Sequence, residues 1–427
     1  MQDEIVITGA GRTAIGGFQG TLSSKTAPEL GGHAIQAALA NADHIAPLID
    51  DVIMGCVLPA GLGQAPARQA SFHGGLSEAI PATTVNKMCG SGMKAVMLGI
   101  DQLRCGEADF IVAGGMESMT NAPYLSDGAR GGARLGHQAM RDHMFLDGLE
   151  DAYDKGTLMG SFAEDCATHY QFSRAAQDDF ALASLARAQK TQNDGVFEAE
   201  IIPVTVKIKR QEHIIAIDEQ PQTARPDKIP HLKPAFRADG SVTAANSSSI
   251  SDGAAACLLA RKTAAEKNGL PIKARILGHA SFAHAPGWFT TAPVTAAKKL
   301  LDKIGWQISD VDICEVNEAF AVVPMAFMRE LDIRHDIVNV HGGACALGHP
   351  IGASGARIIV TLLNALEVRG KKRGLAAICL GGGEGIAVAL ERSSFCYYQP
   401  YSKLGFSHPA SSQGALQHAQ EKRPLPQ

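Results

Sequence analysis

The chain alternates short apolar runs with amphipathic stretches over most of its length. Glu4 to Thr8 reads as a buried strand, and Thr26-Ala-Pro-Glu29 is a capping box opening an Ala-rich helix to about Asn41. Asp51 to Val57 and Ala82 to Asn86 read as strands, Gly90 to Arg104 as a helix, and Phe110 to Gly114 as a strand ending in Gly-Gly. From Thr120 to about Ser249 the pattern is polar and less regular. It holds one long amphipathic helix near Ser173 to Gln192 and a hairpin of Lys207 to Arg210 with Glu212 to Ile217. Strand–helix alternation returns after Ser251 and runs to about Arg392. The remaining residues, rich in Ser, Gln, Tyr and Pro, read as an unpacked tail.

The pattern repeats itself. The stretch from Ala38 (ALANADHIAPLIDDVIMGCV) matches that from Lys298 (KKLLDKIGWQISDVDICEV): a helix end, a short link, an Asp and a strand. Further on, each copy has a Gly/Ser turn opening a helix, at Cys89 and at Gly352. Each helix leads to an apolar strand that ends in a glycine run plus Glu, VAGGMES from Val112 and CLGGGEG from Cys379. The organisation expected is an α/β chain of two equivalent halves. The first is 1–119 with 250–270, the second is 271–392, 120–249 is an insertion, and 393–427 is the tail. A site is expected where strand ends and helix N-termini of the halves converge.

Composition narrows the partners. At 427 residues, 45% apolar and 19% charged, the chain can bury a large core and is not a disordered or fibrous one. A formal charge of -4 argues against a nucleic-acid partner. Apolar runs such as Ala254 to Ala260 are far shorter than the roughly 20 residues of a membrane span. The opening MQDEIVITGAG does not read as a targeting peptide. Nine cysteines without a CxxC pair fit a reducing compartment, the cytoplasm, and neither a disulfide frame nor a metal site. Ile7 to Gly16 resembles a dinucleotide fingerprint, but its glycine spacing is wrong and no acidic residue follows at the required distance.

Four segments carry candidate chemistry. Cys89 lies in VNKMCGSGMK at a strand-to-helix turn, where the helix dipole and free N–H groups are expected to lower a thiol pKa and stabilise an oxyanion. His349, in GGACALGHPIGASG, is held extended by Pro350 and could serve as that thiol's base. Asn317, in VNEAF, could donate to a developing oxyanion, and Cys379, in CLGGGE, could exchange protons at a substrate carbon. Each residue taken alone also reads as an ordinary structural one, Glu318 for instance as the start of a helix. Their placement at equivalent junctions of a repeat favours a single site.

These motifs, VNKMCGSGMKAV, AGGMESMTNAPYL, VNEAFA, GGACALGHPIGASGAR and CLGGGEG, resemble those of the thiolases, in order, from about Ile5 to about Glu391. The resemblance is nearest to bacterial acetyl-CoA C-acetyltransferases. It implies the thiolase fold, duplicated βαβαβαββ halves in a layered α/β arrangement with an inserted loop domain. It implies that Cys89 takes the acyl group, that His349 activates it, and that His349 and Asn317 hold a thioester oxygen. Cys379, with a near-neutral pKa, would move the α-proton, and the N–H groups of Cys89 and Gly381 would form a second oxyanion hole. Ser248 would contact the pantetheine arm, Arg225, Lys228 and Lys233 the phosphates of coenzyme A, and Met159, Phe289 and Phe320 the acyl group.

No tightly bound cofactor or metal is implied, coenzyme A being substrate and product. A homotetramer is implied, its dimers joined near Lys207 to Ile217. The pantetheine loop departs from the family pattern at Ser249, usually Gly, and Ser251, usually Asn. Leu158 stands where many acetoacetyl-CoA thiolases carry His. The alternatives are a broad-range 3-ketoacyl-CoA thiolase and a non-catalytic thiolase-like protein, which would not need all four reactive residues.

Overall fold

The computed structural model describes residues 3–392, so the tail read after Arg392 lies outside the described residues. β1 (Ile5–Thr13) is buried along its whole length. α1 (Ala27–Leu39) begins with the expected capping box: Thr26 Oγ1 accepts the Glu29 N–H, and the Glu29 carboxylate accepts the Thr26 N–H at 2.8 Å. Next come β2 (Asp51–Gly55), β3 (Ala82–Val85), α2 (Ser91–Cys105) and β4 (Phe110–Ser118). β4 runs past the expected end at Gly114. Its glycines mark a close approach, since a Cβ on Gly115 would lie 2.1 Å from the Gly352 carbonyl oxygen.

The insertion is more ordered than its sequence suggests. It holds a hairpin of Tyr124–Ser126 with Met140–Asp142, then α3 (Met159–Tyr170), α4 (Arg174–Asn193) and the expected hairpin, Val204–Ile208 with Gln211–Ile215. α3 leaves little signal in the sequence, because Leu158 at its start supplies no capping side chain. The insertion is anchored by Arg12 of β1, which is fully buried. Its Nε lies 2.6 Å from Glu200, and its guanidinium forks onto Asp218 at 2.7 and 2.9 Å. β5 (Ser251–Arg261) then returns between β1 and β4, antiparallel to both.

The second half comprises β6 (Ala274–Ala283), α5 (Ala292–Ile304), β7 (Ile313–Val316), α6 (Val322–Leu331), α7 (Ile351–Val368), β8 (Arg373–Leu380) and β9 (Glu384–Arg392). The strands form one sheet, β7-β8-β9-β6-β1-β5-β4-β2-β3, whose halves meet where Ile7 pairs with Ala274. Outward from that seam the two halves run through the same series of strands. Each even carries a register shift at the same place, between Ile7 and Gly9 and between Ile276 and Gly278. Only β3 lacks a full counterpart; Val338 makes a single parallel bridge with Cys314 in its stead.

Side chains alternate between layers. Ile53, Ile111 and Ala113 face a central layer with α2 and α7, while Val52, Met54 and Val112 face α1. In the second half Ile378 and Val388 face the central layer, and Ala377 and Ala389 face α5 and α6. α2 and α7 touch through glycines: a Cβ on Gly92 would lie 2.9 Å from Ala356 N, and one on Gly355 2.5 Å from Met93 N. α7 has the length and apolarity of a membrane span, but 89% of that stretch is buried inside the molecule, as in a core helix. The N-termini of both central helices lead back to the residues singled out above.

Candidate active site

Cys89 lies just before α2 in a turn that Met88 enters with φ 47°, a left-handed conformation unusual for a side chain of its size. The turn is braced locally. Asn86 Oδ1 accepts the Met88 N–H at 3.0 Å; Ser91 Oγ accepts the Lys87 N–H at 2.8 Å and donates to the Met88 carbonyl at 2.6 Å. The backbone N–H groups of Gly381 and of Cys89 itself favour a thiolate at this sulfur, as the helix start was expected to do. Burial outweighs them and pushes the thiol up to about 11, with the charge of Glu117 adding to the rise.

Cys379 is buried near the end of β8, close enough to Cys89 to feel its charge. The near-neutral pKa expected of it is corrected in the same sense. Burial first, then the proximity of Cys89, hold its thiol well above the ordinary range. Gly381 to Gly383 make the turn into β9, with φ of 92° and 84° at Gly382 and Gly383. Glycine is required there, because a Cβ on Gly383 would lie 2.4 Å from the His284 carbonyl oxygen.

His349 comes to the site ahead of α7. Its Nδ1 lies 2.6 Å from Ser354 Oγ, and that hydroxyl donates to the Pro350 carbonyl at 2.9 Å. Nδ1 therefore carries the proton, and Nε2 is an acceptor facing Asn317 Nδ2 at 3.4 Å. Burial, reinforced by the Arg357 charge, pushes the imidazole down to about 3, so it is neutral at physiological pH. The backbone N–H of His349 is shared between Ser249 O at 3.1 Å and Ser251 Oγ at 3.2 Å. Of the two departures from the usual pantetheine loop, only Ser251 braces His349 with its side chain; Ser249 does so through the backbone carbonyl any residue carries, and it is not among the described residues with positive φ.

Asn317 follows β7, and its Oδ1 is buried with no hydrogen-bond partner among the described residues. Glu318, which the sequence also allowed as a helix start, opens no helix; α6 begins at Val322. It is fully buried and accepts from Ser184 Oγ at 2.7 Å, Asn339 Nδ2 at 2.8 Å and the Cys345 N–H at 3.0 Å. In this way it locks the Asn317 loop to the loop carrying His349. The bracing roles of Glu318, Ser354 and Ser251 were missed in the sequence, since a lone buried polar residue leaves no periodic trace. Glu117 had a signal, being the repeat-mate of Glu384 after a glycine run.

Two clefts flank these groups. Arg225 and Lys228 line one of them with Ala245, Ser249 and Cys345. Ser248 is not part of that lining; its hydroxyl donates to the Ala319 carbonyl at 3.0 Å. Met88, Leu146, Tyr153, Met159 and Gly381 line the other, where Glu384 is ion-paired with Lys87. Phe289 and Phe320 lie with ring centroids 6.4 Å apart, in the apolar cluster that includes Cys379.

Two family models divide the chain at the seam between the halves. Thiolase, N-terminal domain, matches residues 5–263, and thiolase, C-terminal domain, residues 270–392. The chain belongs to the thiolase family. This thiolase is 48% identical to an acetyl-CoA acetyltransferase of Pseudomonas aeruginosa over 92% of its own length and 100% of that protein. It is 47% identical to an acetyl-CoA acetyltransferase of Saccharomyces cerevisiae, with the same coverage. Among solved structures, the acetyl-CoA acetyltransferase of Bacillus anthracis superposes with a TM-score of 0.89 at 37% identity, covering 92% of this chain and 99% of that one. A thiolase of Ascaris suum in complex with coenzyme A gives 0.86 at 39% identity, covering 91% and 100%.

Proposed function

We propose that this thiolase is an acetyl-CoA C-acetyltransferase, which reversibly condenses two acetyl-CoA to acetoacetyl-CoA and coenzyme A. The observation that carries the reading is the convergence of two thiols with a neutral imidazole–amide pair. Cys89 lies near the Gly381 N–H and within electrostatic reach of Cys379, while the unprotonated Nε2 of His349 faces Asn317 Nδ2 at 3.4 Å.

In acyl transfer, the Cys89 sulfur attacks the acetyl-CoA carbonyl as its proton passes to His349 Nε2. The N–H groups of Cys89 and Gly381 hold the oxyanion. The departing coenzyme A thiolate takes the proton from the imidazolium, leaving an acetyl thioester on Cys89. The Cys379 thiol gives its proton to solvent, and the thiolate so formed accepts the α-proton of a second acetyl-CoA. The enolate oxygen is held by His349 and Asn317 while its carbon attacks the thioester and expels the Cys89 thiolate, which takes a proton back from solvent. In the reverse direction the protonated Cys379 delivers its proton to the leaving enolate.

The Arg225–Lys228 cleft would take the phosphates of coenzyme A. The cysteines described, all free, support a cytoplasmic setting in acyl-CoA metabolism. A homotetramer accords with exposed apolar side chains on both hairpins of the insertion, Tyr124 and Met140 on one, Ile208 and Ile214 on the other. A monomer on sizing would overturn that assembly. The function is tested by coenzyme A-dependent thiolysis of acetoacetyl-CoA beside a longer 3-ketoacyl-CoA, with the native chain and Cys89→Ala. Native activity on the four-carbon substrate, lost in the variant, is expected. Preference for the longer substrate would move the enzyme to the broad-range 3-ketoacyl-CoA thiolases.

A further inference from the structure

Glu117 stands next to last in β4 and is fully buried, yet no step above uses it. Its carboxylate has four partners. Oε2 accepts the N–H of Val57 and that of Gly352, each at 2.9 Å. Oε1 accepts the Leu58 N–H at 3.1 Å and faces the Cys56 thiol at 3.5 Å. Val57 and Leu58 continue from β2 in the first half. Gly352 is the second residue of α7, three beyond His349, in the other half. A single side chain therefore fastens the strand end near the nucleophile to the helix that follows the base.

The fit leaves no slack. A Cβ on Gly352 would lie 2.6 Å from Glu117 Oε2 and 2.7 Å from the Met116 carbonyl oxygen. A carboxylate is also the group that a helix N-terminus favours electrostatically. Hydrogen bonds of this kind contribute little at a surface, but these are out of water, where leaving a partner unpaired is costly, and the carboxylate's acceptor sites are taken by backbone donors.

We propose that Glu117 is a positioning residue of the thiolase reaction: by bonding Val57 and Leu58 of one half and Gly352 of the other, it fixes the separation of Cys89 and His349. The proposal rests on the thiolase reading above. The carboxylate lies close enough to Cys89 for its charge to oppose the thiolate. Burial raises Glu117 to about 7 against the pull of the Val57, Leu58 and Gly352 N–H groups. The titratable groups that face it are Cys56, whose thiol lies 3.5 Å from Oε1, and Cys89 ahead of α2.

The test compares full-length E117Q with the wild type. The amide keeps the shape but replaces one accepting oxygen with a donor. The kcat for thiolysis of acetoacetyl-CoA is expected to fall about 10- to 100-fold, the scale of a small misplacement of reacting groups, with KM changed less than about twofold. The pH profile of Cys89 alkylation by iodoacetamide should move to lower pH, because a neighbouring negative charge is gone. An unchanged kcat, or an unmoved alkylation profile with only a lower melting temperature, would overturn the proposal.

Should E117Q fail to fold, E117D keeps the charge but shortens the reach to the Val57, Leu58 and Gly352 N–H groups; its kcat is expected to fall at least about tenfold with KM changed less than about twofold, and an E117D as active as the wild type would overturn the proposal. A wild type with no thiolysis would sink the reaction assigned above, whereas an E117Q as active as the wild type sinks only the role of Glu117.

Discussion

At Cys89 burial and hydrogen bonding act in opposite directions on one sulfur, and burial prevails. With the thiol near 11 and the His349 imidazole near 3, no thiolate–imidazolium pair stands ready in the free protein. Proton transfer must accompany attack. Alkylation of Cys89 should therefore keep rising with pH between 8 and 10, by close to tenfold per unit. A rate already level at pH 7 would mean a preformed ion pair. Cys379→Ala removes the group that moves the α-proton but leaves acylation intact. Acetyl-CoA should still label Cys89, while condensation falls by about 10²- to 10⁴-fold, as read from mass spectrometry of the acyl-enzyme and from turnover.

The central helices set the precision of the site, because each precedes its own strand and follows its own reactive residue. Their contact depends on having no side chain at Gly355, where a Cβ would lie 2.5 Å from the Met93 backbone nitrogen. Gly355→Ala should cost about 1–3 kcal/mol by overpacking and lower kcat more than it raises KM, measured by urea unfolding and steady-state kinetics. Elements of this kind were readable in the sequence. Repeated glycine turns show where a chain must bend sharply, and Cys89, His349 and Cys379 sit in those turns. Glu318 was not readable, because its importance lies in what long-range folding places against it, and Ser354 was not, because a single hydroxyl acting on His349 five residues away leaves no pattern. α3 went unseen for want of a cap, and the end of β4 was misplaced because Gly-Gly usually means a turn and here means close packing.

At the scale of the whole molecule, buried charge holds the parts together. Arg12→Ala leaves Glu200 and Asp218 uncompensated in the interior and should cost about 3–5 kcal/mol, read as a lower urea midpoint. Acid stability follows from groups of opposite sense. His335, His341 and His349 are held to about 4, 4 and 3, so the unfolded chain takes up protons below about 6.5 that the folded state refuses. Glu117 and Glu315, raised to about 7 and about 8, instead keep protons in the folded state that the unfolded chain releases above about 4.5. Between pH 6.5 and 4.5 the two glutamates offset two of the three histidines, leaving a net uptake of one proton on unfolding. From about 4.5 to 4 only the histidines still act among these five, so the fall in urea midpoint with pH should steepen there by at least about twofold, and ease again below 4 as His335 and His341 take up protons in the folded state.

The sharing of the central layer also has a bearing on synthesis. α2 is complete once residue 105 has been made, but the face it turns toward α7 waits for residue 368. At ribosomal speeds that is roughly 15 to 50 s, during which the apolar side of α2 has no covering helix. The nascent chain therefore offers a long-lived sticky surface, and a holding chaperone that binds the first half would be displaced only when α7 arrives.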